Sequence, residues 1–482
     1  MQALSVTPAR DLVGRRGSDA LVITAVVLVS VLGGLAVASG RGTVAVAAAA
    51  APLVLFVVPR LSRAAGLPAG YFSIELPLAL MLISTLVFRS RDATALANNP
   101  LDSAAIIRLV SVGAAAVVAW IGFLRPPLDT VRVPMPPAII PYALYIAVVF
   151  MGAPLSQDLT LTTYRGIELS VALFVVVSAV RFGGRDAVRR LERVMFVFVV
   201  ALLCSVYAGL VLAPHEALIC ESGNGPVSCI LGGIFPALSP NTVGELGVVL
   251  LLWSLGLRLS GRMSTRWAAA FIVLGGVSCI ASQYRTGYFG AAAVLALLLI
   301  VRGRKAFALI AVTVALLAAL VNSSAIVNAA EPYALRGQNT RTVGELSGRI
   351  SFWKAAIPVW EESPIIGKGL LTATRFEVLA PLGFTSTSTI HGTWIEALVG
   401  TGVVGVTLLA LYLVLLWRAA LPDLFSRSGL VYPGLLVAFF TLRSITGTTF
   451  EAFTSEVPLL LLILAFALSA HRMGDYRAPS VR

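Results

Sequence analysis

The side chains able to do chemistry crowd into one part of this chain. Residues 347–405 hold His391, Arg349, Arg375, three tryptophans (Trp353, Trp360 and Trp394) and the glycine pair Gly402 and Gly405. All but Arg375 fall in two blocks, SGRISFWKAAIPVWEESPIIGKG and HGTWIEALVGTGVVG. A histidine, with an ordinary pKa of about 6.5, is the natural general base near neutral pH. An arginine keeps its charge at every pH and offers a two-pronged fork to an anion. Outside these blocks, Arg285 stands alone in SQYRTG between two apolar runs, and Arg165 stands in TTYRGIEL. Asn241 and Glu245 open another apolar run, in PNTVGELG. Each has a plain structural role to set beside a functional one. Arg165 can snorkel to headgroups, Asn241 can cap a helix, Arg285 can pair with Glu245, and Arg349 can pair with Glu345 four residues earlier. Cys220 and Cys229, in CESGNGPVSC, flank a Gly-Asn-Gly turn that allows a disulfide on an oxidising side. Cys204 and Cys279 lie in apolar runs and read as packing.

What must position these residues is a membrane scaffold. The chain of 482 residues is 58% hydrophobic and only 12% charged, far more apolar than a soluble globular mixture. A spanning helix needs roughly 20 mainly apolar residues. Fourteen such segments are read, near 20–39, 42–58, 72–88, 104–124, 138–153, 166–180, 194–213, 242–259, 266–282, 286–302, 306–322, 398–417, 431–447 and 455–470. The first, ending AVASG, also fits a signal peptide. With a cytoplasmic N-terminus, inner loops and tails collect most of the arginines, while short outer loops hold only Arg41, Arg89, Arg91, Arg165 and Arg285. That bias predicts both termini inside and the 323–397 loop outside. The net charge of +13 therefore reads as loops meeting anionic lipid, not nucleic acid.

The expected fold is all-α and polytopic, with 12–14 transmembrane helices and one large extracytoplasmic loop containing amphipathic helices. Four regions are expected: an N-terminal scaffold at 1–213, helices with a donor-binding segment at 214–322, the catalytic loop at 323–397 and C-terminal helices at 398–482. In the loop, Val343, Leu346, Ile350, Trp353, Ile357 and Trp360 recur at steps of three and four and predict an interfacial amphipathic helix. Thr342 and Glu345 form a capping box at its start, and Pro358 kinks or ends it.

Three blocks resemble the O-antigen ligase family, which includes O-antigen polymerases and protein O-oligosaccharyltransferases: GGIFPALSPNTVGELG, SQYRTGYFG, and the pair of blocks in 347–405. The family pattern in the last is a histidine, a small polar residue, nine variable positions, then G-x-x-G. His391, Gly402 and Gly405 fit it, and Gly392 departs from the usual Asn, Ser or Gln. The resemblance implies a metal-free and cofactor-free inverting transferase on the outer face of the bacterial cytoplasmic membrane. It would move a glycan from a polyprenyl (undecaprenyl) diphosphate carrier to an acceptor hydroxyl on a glycan, glycolipid or protein. His391 carries over as catalytic, and Arg285 and Arg349 as the donor diphosphate clamp. Arg165, Asn241, Trp353 and Glu396 are further candidate substrate contacts, although tryptophan at an interface also serves as a membrane anchor.

Within the superfamily, ligation is expected over polymerisation of repeat units. Arg336, Arg341, Arg349 and Arg375 share one loop, whereas residues 214–241 hold no arginine or lysine. A metal-dependent glycosyltransferase is disfavoured because no D-x-D occurs and the cysteines lack metal spacing. A transporter would instead place polar sites at mid-membrane on broken, repeated helices.

Overall fold

The computed structural model describes residues 70–87, 102–125, 127–128, 132–220, 229–302, 349–384, 389–426 and 429–475. The apolar segments expected near 20–39, 42–58 and 306–322, and the capping box at Thr342 and Glu345, lie outside these residues. The protein is an all-α polytopic membrane protein. Its helices are α1 (Tyr71–Leu86), α2 (Ser103–Leu124), α3 (Ile139–Gly152), α4 (Leu159–Leu212), α5 (Pro240–Leu259), α6 (Thr265–Ala281), α7 (Arg285–Val301), α8 (Arg349–Glu361), α9 (Thr393–Phe425), α10 (Val431–Thr446) and α11 (Val457–Ala470). Among the described residues α2, α4, α5 and α9 are long and apolar enough to cross a membrane, and most of the others are shorter apolar helices. In hydrocarbon every backbone polar group needs a partner within the protein, and a helix supplies it locally.

The expected segments 166–180 and 194–213, with an arginine-rich inner loop between them, are one helical stretch of 54 residues. A straight helix of that length would run about 80 Å, against a hydrocarbon core about 30 Å thick. Gly184, at φ 54°, breaks it into two halves of span length. A side chain is strained at that φ and glycine is not, so one residue does the work expected of a loop. Arg190 beside the break is buried and paired with Glu75 of α1 through two bonds, Nη2 to Oε2 being 2.6 Å.

The only strands among the described residues are Leu218–Cys220 and Cys229–Leu231, antiparallel with Cys220 opposite Cys229. A disulfide joins these two cysteines. Asn241 is not the cap of α5. Ser239 takes that role by accepting the Thr242 N–H at 3.2 Å, and Asn241 is exposed in the first turn. The stretch Gly244-Glu245-Leu246-Gly247 brings neighbours close: a Cβ at Gly244 would lie 2.2 Å from Tyr284 Cβ, and one at Gly247 2.6 Å from the Gly275 carbonyl of α6. Small residues serve this purpose wherever membrane helices touch. Helix α11 is buried on all sides except at Ser469, the mark of a central helix. Around it the core continues through α1, α3, α4, α5, α9 and α10.

Candidate active site

Between Thr446 and Val457 the chain is not helical, yet residues 447–456 are mostly buried. Non-helical backbone at membrane depth persists only when its polar groups find partners in the protein, and here side chains from several elements provide them. The Thr446 carbonyl accepts Arg349 Nη1. The Gly447 carbonyl accepts both the backbone N–H and the hydroxyl of Thr393, at 3.1 and 2.8 Å. The Thr448 carbonyl accepts Arg443 Nη1. Further on, Phe450 and Glu451 accept the hydroxyls of Tyr142 and Tyr145, at 3.2 and 2.7 Å, and Phe453 accepts Arg108 Nη2.

This ladder of carbonyls draws the site together. Arg349 ends on Thr446, and Thr393, two residues after His391, ends on the neighbouring Gly447. Helix α7 reaches the same place through Thr286, whose Oγ1 lies 3.3 Å from Thr446 Oγ1, and Arg285 directly precedes Thr286. Three candidates far apart in sequence thus meet at one turn. Arg285, Arg349 and His391 are each half-buried.

His391 occupies a left-handed backbone conformation, φ 53°, which is uncommon for any residue but glycine. Its surroundings hold it there. The Ile390 N–H donates to Glu396 Oε2 at 3.1 Å, the Trp353 indole N–H donates to the Ile390 carbonyl at 3.2 Å, and Thr389 Oγ1 lies 3.4 Å from His391 Nδ1. Burial, then the Arg349 and Arg443 charges, push the imidazole down to about 4 from its ordinary 6.5. A buried cation beside other cations is costly, so the ring gives up its proton. Burial likewise lowers Arg349, with Arg443 and Arg285 adding to the effect and Tyr284 opposing it. The site pairs a neutral ring able to take a proton with fixed positive charge.

Arg443 is the residue the sequence reading missed. Its Nη2 meets Glu245 Oε2 at 2.6 Å, and its Nε donates to the Tyr284 hydroxyl at 3.2 Å. Glu245 therefore pairs with Arg443, not with Arg285 as weighed from sequence. The signal was present, since a charge inside an apolar run is functional until shown otherwise.

The motif glycines fasten the loop to the site. Helix α9 is kinked at Gly402, φ 63°, which interrupts its ladder. The freed groups bond to residues 364–369: Lys368 and Gly369 N–H to the Val399 and Gly400 carbonyls, both at 3.0 Å, and Val403 and Val404 N–H to the Pro364 and Ile365 carbonyls at 2.9 and 3.2 Å. A Cβ on Gly402 would lie 2.3 Å from Ile365 backbone atoms, and one on Gly405 1.9 Å from Thr401 Oγ1. At Gly392 a Cβ would meet the Trp353 indole at 3.1 Å, so tryptophan fills the place of the side chain that the family pattern puts there.

Helix α8 is described from Arg349 and continues through Pro358 to Glu361. The face it buries is Phe352, Ala356 and Val359, packed on Ala373, Val378, Leu379, Ile390 and Val399. The predicted stripe of Ile350, Trp353, Ile357 and Trp360 is only half-buried. The loop has a small core of its own, which periodicity within α8 alone does not reveal.

The other candidates fall elsewhere. Glu396 is fully buried and braces the His391 turn. Arg165 is buried and bonds Glu168 at 2.7 Å, while Arg108 bonds both Glu168 and the Phe453 carbonyl. That cluster ties the N-terminal scaffold to the 447–456 segment. Among the described residues no group of three or more His, Cys, Asp or Glu side chains is arranged for a metal ion.

Fold and site together define a multi-pass helical membrane protein with a polar, arginine-rich centre at the ends of its helices. Residues 268–410, which hold Arg285, Arg349, His391, Gly402 and Gly405, match the O-antigen ligase family. The match covers less than a third of the chain and supports a place among the O-antigen ligases and polymerases that assemble polysaccharide. No curated protein matches the chain.

Proposed function

We propose that the protein transfers a glycan from a polyprenyl diphosphate to an acceptor hydroxyl on the outer face of a bacterial cytoplasmic membrane. The observation that carries this reading is the junction at Thr446 and Gly447, which gathers two arginines and a histidine held neutral. A diphosphate leaving group gains charge as the glycosidic bond breaks, and guanidinium groups fixed beforehand stabilise that charge. Arg285 and Arg349 take this role. His391 accepts the proton of the attacking hydroxyl, and its low pKa keeps it in the accepting form throughout the neutral range. Attack from the face opposite the diphosphate inverts the anomeric centre, and no step calls for a nucleotide sugar. Trp353 is spent on Gly392 and Ile390, so its part is to shape the His391 turn. Ligation of a preassembled glycan is favoured over polymerisation because Arg349 and Arg375 share one loop with His391.

The test feeds purified protein in nanodiscs a lipid-diphosphate glycan, with and without a second hydroxyl acceptor. A ligase gives one product on the acceptor and none without it. A ladder of whole repeats still on the lipid carrier, formed without any acceptor, would make the protein a polymerase.

A further inference from the structure

Arg443 sits near the end of α10, in a run that is otherwise largely apolar, VYPGLLVAFFTLRSIT. A guanidinium at such a place is expensive unless its donors are met, and the partners they find are instructive. Nη2 reaches Glu245 of α5, Nε reaches the Tyr284 hydroxyl at the mouth of α7, and Nη1 reaches the Thr448 carbonyl. Tyr284 directly precedes Arg285. Thr448 stands between Gly447, which accepts both Thr393 bonds, and Thr449, whose N–H donates to Thr393 Oγ1 at 3.1 Å. Fixing Thr448 therefore fixes the entry to α9 two residues after His391, and it fixes the chain just beyond Thr446, on which Arg349 ends. One planar fork joins α5, the mouth of α7 that carries Arg285, and the 446–449 segment on which Arg349 and the entry to α9 both end. The side chain is only 14% exposed, and its three nitrogens are occupied by protein.

We propose that Arg443 is a positioning residue for glycan transfer, which touches no substrate but locks Arg285, Arg349 and His391 into one constellation and keeps positive charge beside the imidazole. The role rests on the reading of the site as a transferase. The charged and titratable groups on the elements around His391 include Arg349, Lys354 and Glu361 of α8, Arg285, Tyr284, Glu245, Glu396, Arg375, Glu451 and Arg443. Of these, Arg349 and Arg443 act to lower the His391 pKa. Lysine in place of Arg443 keeps the charge and loses the fork, whereas glutamine loses both.

The experiment compares wild-type full-length protein in nanodiscs with Arg443→Lys, Arg443→Gln and the double variant Arg443→Gln with Glu245→Gln, which leaves no buried carboxylate unpaired. One readout is the pH dependence of His391 modification by diethyl pyrocarbonate, followed on the His391 peptide by mass spectrometry. The other is kcat and KM for a lipid-diphosphate glycan. The His391 midpoint should rise by about one pH unit in the glutamine variants and stay in place in Arg443→Lys. The kcat should fall about a hundredfold with glutamine, and about tenfold with lysine, with KM nearly constant, because misplacement of about 1 Å costs that much. Wild-type kcat in Arg443→Lys, or an unmoved His391 midpoint in the folded double variant, would overturn the role. A wild-type protein that transfers nothing would overturn the transferase reading instead, and the His391 midpoint would still decide whether Arg443 acts on the ring.

Discussion

His391 is held in a left-handed turn by bonds to both backbone groups of Ile390, and burial, with two guanidinium groups adding to it, lowers its pKa to about 4. The sign of the consequence is fixed: a base whose pKa is lowered stays unprotonated as the pH falls from 8 to about 5, and loses its accepting form only as the pH passes through about 4. The rate of transfer should therefore be flat across the neutral range and drop below about pH 5, where an ordinary histidine would give a fall centred near 6.5. A pH–rate profile checks this, and a limb near 6.5 assigned to the enzyme would contradict it. Arg285→Ala and Arg349→Ala should weaken binding of a lipid-diphosphate donor as well as kcat, with partial recovery in the lysine variants. Unchanged donor affinity in both alanine variants would rule out the clamp. His391, Arg285 and Arg349 were legible because they stand as isolated polar residues in recognisable blocks. Arg443 was not picked out because it stands outside those blocks, and its partner Glu245 was weighed against the wrong arginine. Spacing along a chain does not say which of two helices will face a third.

Among the helices, two glycines stand at breaks. Gly184 breaks α4 into two helices without a loop, and Gly402 opens the ladder of α9 so that residues 364–369 can bond into it. Gly402→Ala would place a side chain at φ 63° and 2.3 Å from Ile365. The expected penalty is about 1–3 kcal/mol for the backbone alone, enough to detach the loop from the helix. Limited proteolysis should then cut within 349–384 faster than in wild type while the rest of the chain survives. Equal cleavage rates would show that the loop does not depend on the kink. The positions of the helices were readable from hydropathy, because a span has a length set by the membrane. The buried face of α8 was not, since Phe352, Ala356 and Val359 pack against Ala373, Val378, Leu379, Ile390 and Val399, residues from the rest of the loop and from the first turns of α9.

At the scale of the whole molecule, the N-terminal helices do more than wall off lipid. Arg108 links Glu168 to the Phe453 carbonyl, and Tyr142 and Tyr145 hold the carbonyls of Phe450 and Glu451. The scaffold thus fixes the same segment that gathers the site. None of this was legible, because backbone carbonyls have no signature in sequence, and the run TGTTFEAFTSE reads as an ordinary short loop. A second consequence concerns the Glu75–Arg190 pair beside Gly184. Glu75→Ala leaves a buried guanidinium without its carboxylate and should cost about 3–5 kcal/mol, seen as a lower thermal midpoint in detergent. The double replacement by leucine should recover most of it, and a midpoint unaffected by Glu75→Ala would show that the pair is not structural. Sidedness can be read from Lys354→Cys, an exposed position on α8, in a background without Cys204 and Cys279. Labelling by an impermeant thiol reagent in intact cells is expected, and labelling only after the cytoplasm is opened would reverse the topology.

The most direct measurement is single-turnover transfer by wild-type and His391→Ala protein, in nanodiscs at pH 7, from a lipid-diphosphate glycan to a hydroxyl acceptor, with donor binding measured on the same samples. The expected result is glycan on the acceptor with wild-type protein, and a rate lower by about 10²–10⁴-fold in His391→Ala, with donor binding nearly unchanged. Transfer at the wild-type rate by His391→Ala would contradict it.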